Sequence, residues 1–320
     1  MQKLKAKFRV INFIFYMILI SCSIFVILDT FVIEHKSDLT SNLNQNEEIL
    51  NNNDTDDTLN DKMNTSDEEE NINNSSVATI TDNSYEDENI SIKIITERTN
   101  STTYYVADIS ISNSKYLKTA LANDTYGRNI KETTSEMAEN NNAIFAINGD
   151  YYGFRDYGFV IRNGVLYRET ANEDNDALVI DNNGNFSIVN ESEVNAKELL
   201  NEGAWQVLSF GPALIEEGDV VVGKNDEVSQ AKTSNPRTAI GQIDELHYIV
   251  VVADGRTSES EGLSLYELAQ VMKNYNCTTA YNLDGGGSST MYFNGKVINN
   301  PTSGRSIGER SVSDIVYIGY

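Results

Sequence analysis

The run Asn282-Leu283-Asp284-Gly285-Gly286-Gly287-Ser288-Ser289-Thr290 carries an apolar strand into a carboxylate, three glycines and two serines. Three successive glycines cost more chain entropy than a plain turn requires. In return they let the backbone approach a ligand closely and aim several N–H groups at an anion. Ser288 adds a hydroxyl, and Asp284 stands at the lip of that cradle. No lysine follows as in a Walker loop, and dinucleotide-binding spacing is missing. A flexible connection between two strands is the competing reading of the same residues.

Four further clusters offer polar groups. Asn148-Gly149-Asp150-Tyr151-Tyr152 supplies an amide, a carboxylate and aromatic faces suited to a sugar. Arg237 opens an apolar strand within Asn235–Gly241, where a guanidinium fits a phosphate or carboxylate bidentately. Asp254-Gly255-Arg256 and the pairs Gly304-Arg305 and Glu309-Arg310 complete the set. Each cluster lies at or just beyond the end of an expected strand, which gathers them at one rim of a sheet. Only His35 and His247 are histidines, so acid–base work falls to carboxylates. Asp284 is the expected principal carboxylate, with Asp254 or Glu309 as partner, because glycosidic cleavage uses such a pair. Substrate contacts are expected from Asn148, Asp150, Tyr152, Arg237, Arg256, Gly285, Gly286, Gly287, Ser288 and Arg310. Nothing in these residues requires a cofactor. A divalent cation held by Asp284, Asp254 and Asp150 would make a metal-dependent phosphodiesterase, and the same cradle without chemistry would make a wall-polymer binding module.

Positioning these groups calls for strands. Ser91–Thr96 and Thr103–Ile111 alternate apolar and polar residues. Asn163-Gly164 and Asn182-Asn183-Gly184 mark hairpins. Leu246–Ala253 is almost wholly apolar and is expected to be buried on both faces. Helices are expected over Glu132–Asn140, Glu193–Asn201 and, most clearly, Ser264–Tyr275, where Ser264 and Glu267 form a capping box. The fold class is α+β: a mostly β core with a few helices packed on it.

Ahead of this domain the composition changes twice. Lys3, Lys5, Lys7 and Arg9 precede an apolar run from Val10 to Ile33, long enough for a membrane helix. The positive flank places the following chain outside the cytoplasm; a cleaved signal peptide is the alternative. Residues 34–89 hold 16 of the acidic residues against two lysines and read as a disordered tether. The expected division is therefore 1–33 anchor, 34–89 linker and 90–320 folded domain. A net charge of −24 repels nucleic acid, and with only Cys22 and Cys277 no disulfide framework or cysteine zinc site is expected.

Together, Asn148–Tyr152, Asn235–Gly241, Asp254-Gly255-Arg256 with Gly262–Met272, Asn282–Met291 and Gly304–Ser311 resemble the phosphodiester glycosidase family in order and spacing. The resemblance spans most of residues 90–320. It implies hydrolysis of a sugar joined through its anomeric carbon to phosphate, with Asp284, Asn148, Arg237 and Gly285–Gly287 lining the site. Asp150 stands where an uncharged residue is common in the family. The bacterial-style anchor and tether turn the expected substrate toward a cell-surface or exopolysaccharide phosphodiester.

Overall fold

The computed structural model describes residues 2–37, 78–99, 101–173, 175–226, 234–304 and 306–320. Among these, every strand pair is antiparallel, and four α-helices occur: α1 Gln2–Phe31, α2 Thr134–Asn140, α3 Ala196–Asn201 and α4 Leu265–Asn274.

A nine-stranded sheet forms the centre. Its inner strands run Ala213–Glu216, Thr279–Leu283, Arg237–Asp244, His247–Ala253, Thr103–Ile111 and Ile90–Arg98 in spatial order. The alternation in Ile90–Arg98 places Ile90, Ile92 and Ile94 inward. In His247–Ala253 nearly every residue is buried, because both faces are covered. On one face α4 packs Leu265, Leu268, Ala269 and Met272 against Val106, Ile249 and Val251. Ser264 caps that helix as its sequence foretells: its side chain accepts from Glu267 N, and the Glu267 carboxylate accepts from Ser264 N. On the other face lie two five-stranded sheets. One is ordered Lys296–Val297, Met291–Phe293, Phe145–Asn148, Asp314–Ile318, Leu117–Leu121 and carries α2; the other contains Val160–Arg162 and Ala204–Leu208 and carries α3. Phe145, Ile147, Val316 and Leu208 meet Ala107, Ile109 and Val250 in the largest apolar cluster. The result is helix on sheet on sheet on helix, the α+β class expected.

The Asn163-Gly164 hairpin forms with φ of 50° and 75°, the left-handed pair that a tight strand connection requires. The sheet begins earlier than composition indicates. Thr79–Ile80 and Ser84–Glu86 extend the nine-stranded sheet, and Tyr85 is buried there. The expected linker end at residue 89 is thus too late by about a dozen residues; the alternating Ser84-Tyr85-Glu86 was the signal, hidden among Asn and Asp. Residues 38–77 of the expected tether lie outside the described residues.

Candidate active site

Asp284 sits at the seam between the central sheet and the neighbouring five-stranded sheet. The strand before it is fixed by pairing Thr238 with Leu283. Across the seam, Asn148 Nδ2 donates to Asp284 O at 2.6 Å, and Asp284 N donates to Gly149 O at 3.3 Å. Asn148 Oδ1 accepts from Thr238 Oγ1 at 2.9 Å and Thr290 N at 3.3 Å. Asn148 is therefore a fully buried clasp that fixes Asp284 in place and does not line the cleft.

Gly285 and Gly286 are needed, though for a different reason from the one expected. Gly286 has φ of +62°, and a Cβ there would lie 2.7 Å from the Arg256 guanidinium. A Cβ on Gly285 would lie 2.9 Å from Pro236 O. The loop threads between neighbours where side chains do not fit. Its backbone N–H groups are largely spent inside the protein: Gly285 N on Asp284 Oδ1, Gly286 N on Pro236 O, Ser288 N on Gly285 O and Ser289 N on Gly286 O. The N–H cradle for phosphate thus does not form as expected.

Side chains take its place. Ser288 Oγ donates to Asp284 Oδ2 at 2.5 Å. Arg310 donates through Nη2 to Asp284 Oδ2 at 3.1 Å and to Ser288 Oγ at 2.6 Å. The Arg310 side chain is 43% exposed and that of Asp284 is 11% exposed, so both face the cleft above them. Lys131, Tyr151 and Phe154 complete its walls around a space of about 170 Å³, below the roughly 300–1,000 Å³ of drug-sized ligand sites. The Tyr151 and Phe154 rings stack at 4.8 Å and offer an aromatic wall. Burial raises the pKa of Asp284, opposed by Arg310, Ser288, Gly285 N and, more distantly, Arg155. A carboxylate desolvated in this way beside cations is a strong candidate for proton transfer.

Several expected site residues lie elsewhere. Asp254 is buried and accepts from Asn300 N at 2.8 Å and from the amides of Asn299 and Asn300 at 3.3 Å, holding the loop behind the glycines. Glu309 accepts from Ser135 N at 3.0 Å and Ser135 Oγ at 2.5 Å in the first turn of α2. Neither lines the cleft as the partner of Asp284. Asp150 borders it, but its side chain is fully buried. Its oxygens accept from Tyr152 N, Ser209 N and Arg162 Nη2. Tyr152 is buried, stacked on Tyr126 at 5.2 Å, so its ring is closed to a sugar; Tyr151 provides the face instead. Arg237 is buried, donates Nε to Leu263 O at 3.0 Å and does not line the cleft. Arg256 covers the outer side of the glycine loop and donates to Asn235 Oδ1. Arg305 lies outside the described residues. Asp284, Asp254 and Asp150 do not converge, and no cluster of three metal-ligating side chains occurs among the described residues.

Sequence reasoning missed Arg162, Lys131 and Arg155. Arg162 joins Asp150 and Asp314 beneath the cleft, with Nη2 at 2.8 Å from each carboxylate. Burial and the Asp150 charge push the Asp314 carboxyl upward, against the pull of Arg162. The only trace of this in the sequence is a charge in an otherwise apolar strand, Val160-Ile161-Arg162.

A carboxylate paired with a guanidinium beside an aromatic wall is an arrangement able to receive an anionic, ring-shaped ligand. The phosphodiester glycosidase family profile matches residues 141–319, more than half of the chain, and the chain belongs to that family. It is 31% identical over 202 residues to a SPbeta prophage-derived uncharacterized protein of Bacillus subtilis, covering 61% of this chain and 31% of that one. It is 32% identical over 109 residues to the N-acetylglucosamine-1-phosphodiester alpha-N-acetylglucosaminidase of Mus musculus, covering 30% of this chain and 21% of that enzyme. The chain thus spans less than a third of these relatives' lengths. Among solved structures, the zebrafish N-acetylglucosamine-1-phosphodiester alpha-N-acetylglucosaminidase catalytic domain, auto-inhibited by its pro-peptide, aligns with a TM-score of 0.57 at 21% identity, covering 72% of this chain and 82% of that one. A hypothetical protein from Synechocystis aligns with a TM-score of 0.57 at 14% identity, covering 72% and 62%. These two alignments establish a shared fold.

Arg310 yields a test of the electrostatics. Its charge favours the ionised form of Asp284, so Arg310→Gln raises the Asp284 pKa further. The limb of the kcat/KM profile that follows Asp284 then moves to higher pH, and kcat/KM at its optimum falls about tenfold or more with the lost charge-assisted contact. An unmoved limb in the pH–rate profile of the variant would separate Arg310 from Asp284.

Proposed function

We propose that this chain is an extracytoplasmic hydrolase of glycosyl-1-phosphodiesters, with N-acetylglucosamine-1-phosphodiesters as the substrate class named by its relatives. The observation that carries the proposal is the Asp284–Ser288–Arg310 cluster on the floor of an aromatic-walled cleft. The sugar stacks on Tyr151, and Arg310 with Lys131 neutralises the phosphate. Asp284 takes a proton from water as the water oxygen attacks the anomeric carbon. The bond from that carbon to the phosphate oxygen breaks, and its electron pair stays on the phosphate as a phosphomonoester. Such a leaving group is a weak base, so the cations and hydroxyl replace a general acid. A double displacement would need another group to serve the second step, and Asp284 is the carboxylate with surface in the cleft. A single, inverting displacement follows.

Residues Asn12–Thr30 form an apolar helical span with mean hydropathy 2.2. With the basic residues before it, we assign α1 as a single-pass anchor and the domain as extracellular, acting on a cell-surface or exopolysaccharide-type substrate. Hydrolysis of N-acetylglucosamine-1-methylphosphate in heavy-oxygen water tests the chemistry. The label is expected on the released sugar, with the inverted anomer formed first. Label on phosphate, or binding without product, would overturn the proposal.

A further inference from the structure

A second cleft opens where the chain leaves α1. Lys36 lines one side of it, and Tyr126, Arg128, Arg155 and Arg168 line the other. Four cations face one acid, Asp156, in a chain whose net charge is −24. Such a concentration of positive charge runs against the composition of the chain and suits an anion. Arg168 is fixed by donation to the carbonyls of Gly158, Tyr152 and Arg155, and Arg128 rests 3.4 Å from Asp156.

The placement of this cleft is set by the anchor. The last carbonyls of a helix have no partners within it. Here the buried Asn129 side chain supplies them, donating Nδ2 to the carbonyls of Asp29, Thr30 and Ile33 at 3.3, 3.0 and 2.9 Å. Just beyond, His35–Lys36 pairs antiparallel with Gly127–Arg128. Gly127 permits this, since a Cβ there would lie 2.2 Å from His35 O. The apolar span ends at Thr30, so the residue that follows Arg128 touches the span's last turn. The polar headgroup layer adds roughly 5–7 Å on each side of the hydrocarbon core, so with α1 as the anchor a cleft lined by residues just past the span belongs to that layer.

Residues 150–156 contribute to the walls of both clefts, Asp150, Tyr151 and Phe154 to the first and Tyr152, Arg155 and Asp156 to the second. Arg155 lines the second cleft, and its guanidinium lies 5.4 Å from the Tyr151 ring of the first and 5.0 Å from the Phe210 ring. We propose that the aglycone of the substrate is a lipid of the same membrane: the second cleft first receives the phosphodiester at the bilayer surface and passes it to the first cleft, where sugar and phosphate dock for cleavage. This rests on the hydrolase and anchor assignments above and narrows them to a lipid-linked glycosyl phosphodiester.

The test uses the full chain in phosphatidylcholine vesicles with two substrates sharing one sugar and phosphate. N-acetylglucosamine-1-hexadecylphosphate is embedded, and the methyl ester is soluble. Lys36→Glu with Arg128→Glu is expected to lower kcat/KM for the embedded substrate at least tenfold and to leave the soluble one within about twofold. Equal losses on both substrates, or none, overturn the inference while leaving the hydrolase standing. Should the wild type cleave neither substrate, the hydrolase assignment fails, and a readout without turnover then decides the cleft. Hexadecyl methyl phosphate in the vesicles is expected to protect Lys36 from amine acylation, with dimethyl phosphate in solution giving none. Protection by both or by neither overturns the inference.

Discussion

Asp284→Asn is expected to lower kcat/KM for a glycosyl-1-phosphodiester about 10³-fold, roughly 4 kcal/mol of barrier. The amide cannot take a proton from water, and it withdraws the charge that balances Arg310. Folding is expected to survive. Burial raises the pKa of Asp284 in the folded state, so its favourable contribution is complete below the ordinary carboxylate pKa and is lost as pH rises through the folded value. At neutral pH the buried charge is a cost, and Asn removes it. The variant should therefore unfold in urea at the wild-type midpoint or slightly above. Turnover within about tenfold of wild type would remove Asp284 from the mechanism, and a collapsed urea midpoint would recast it as a structural carboxylate.

The largest stability effect is expected from Arg162→Met. The Arg162 side chain is 1% exposed, with Nε and Nη2 each 2.8 Å from Asp314 Oδ2 and Nη2 2.8 Å from Asp150 Oδ2. It also donates to the carbonyls of Ile161 and Val207. Methionine fills the volume but strands two buried carboxylates without a cation, a loss of about 3–5 kcal/mol. The effect depends on pH in a defined direction. Asp314 already has a raised pKa from burial and from Asp150, and losing Arg162 raises it further. The wild-type Asp314 carboxyl is raised to about 7 and the variant's lies above it, so the variant regains stability relative to wild type as pH falls through the alkaline range toward 7, because protonation removes the stranded charge. Urea midpoints at pH 9 and pH 7 should show the gap to wild type narrowing at pH 7. A constant gap, or one below about 1 kcal/mol, would mean the ion cluster does not hold this seam together.

The elements were legible where local physics decides them. The Ser264 capping box, the Asn163-Gly164 hairpin and the almost wholly apolar strand expected over Leu246–Ala253, observed as His247–Ala253, each appear where their residues place them. The glycine loop and Asp284 were legible for the same reason, since such a sequence has few uses. The choice of partners was not. Arg237 and Arg310 both flank the loop, and only tertiary packing sends the first to Leu263 O and the second onto Asp284. Glu309 and Arg310 are neighbours in sequence, yet one accepts from Ser135 N in the first turn of α2 and the other enters the cleft. Arg162 was missed because its long-range contacts to Asp150 and Asp314 leave no periodic trace. The early sheet edge at Thr79–Glu86 was masked by acidic composition, which sets average behaviour over a window and not the fate of one buried tyrosine.

The strand Asp314–Ile318 lies inside its sheet, between Phe145–Asn148 and Leu117–Leu121. Translation delivers it after every strand it joins and after Asp284 and Arg310. Until it arrives, Arg162 lacks one of its two carboxylates and the seam under Asp284 stands open. A nascent chain therefore carries an unfinished site until that late strand slots home.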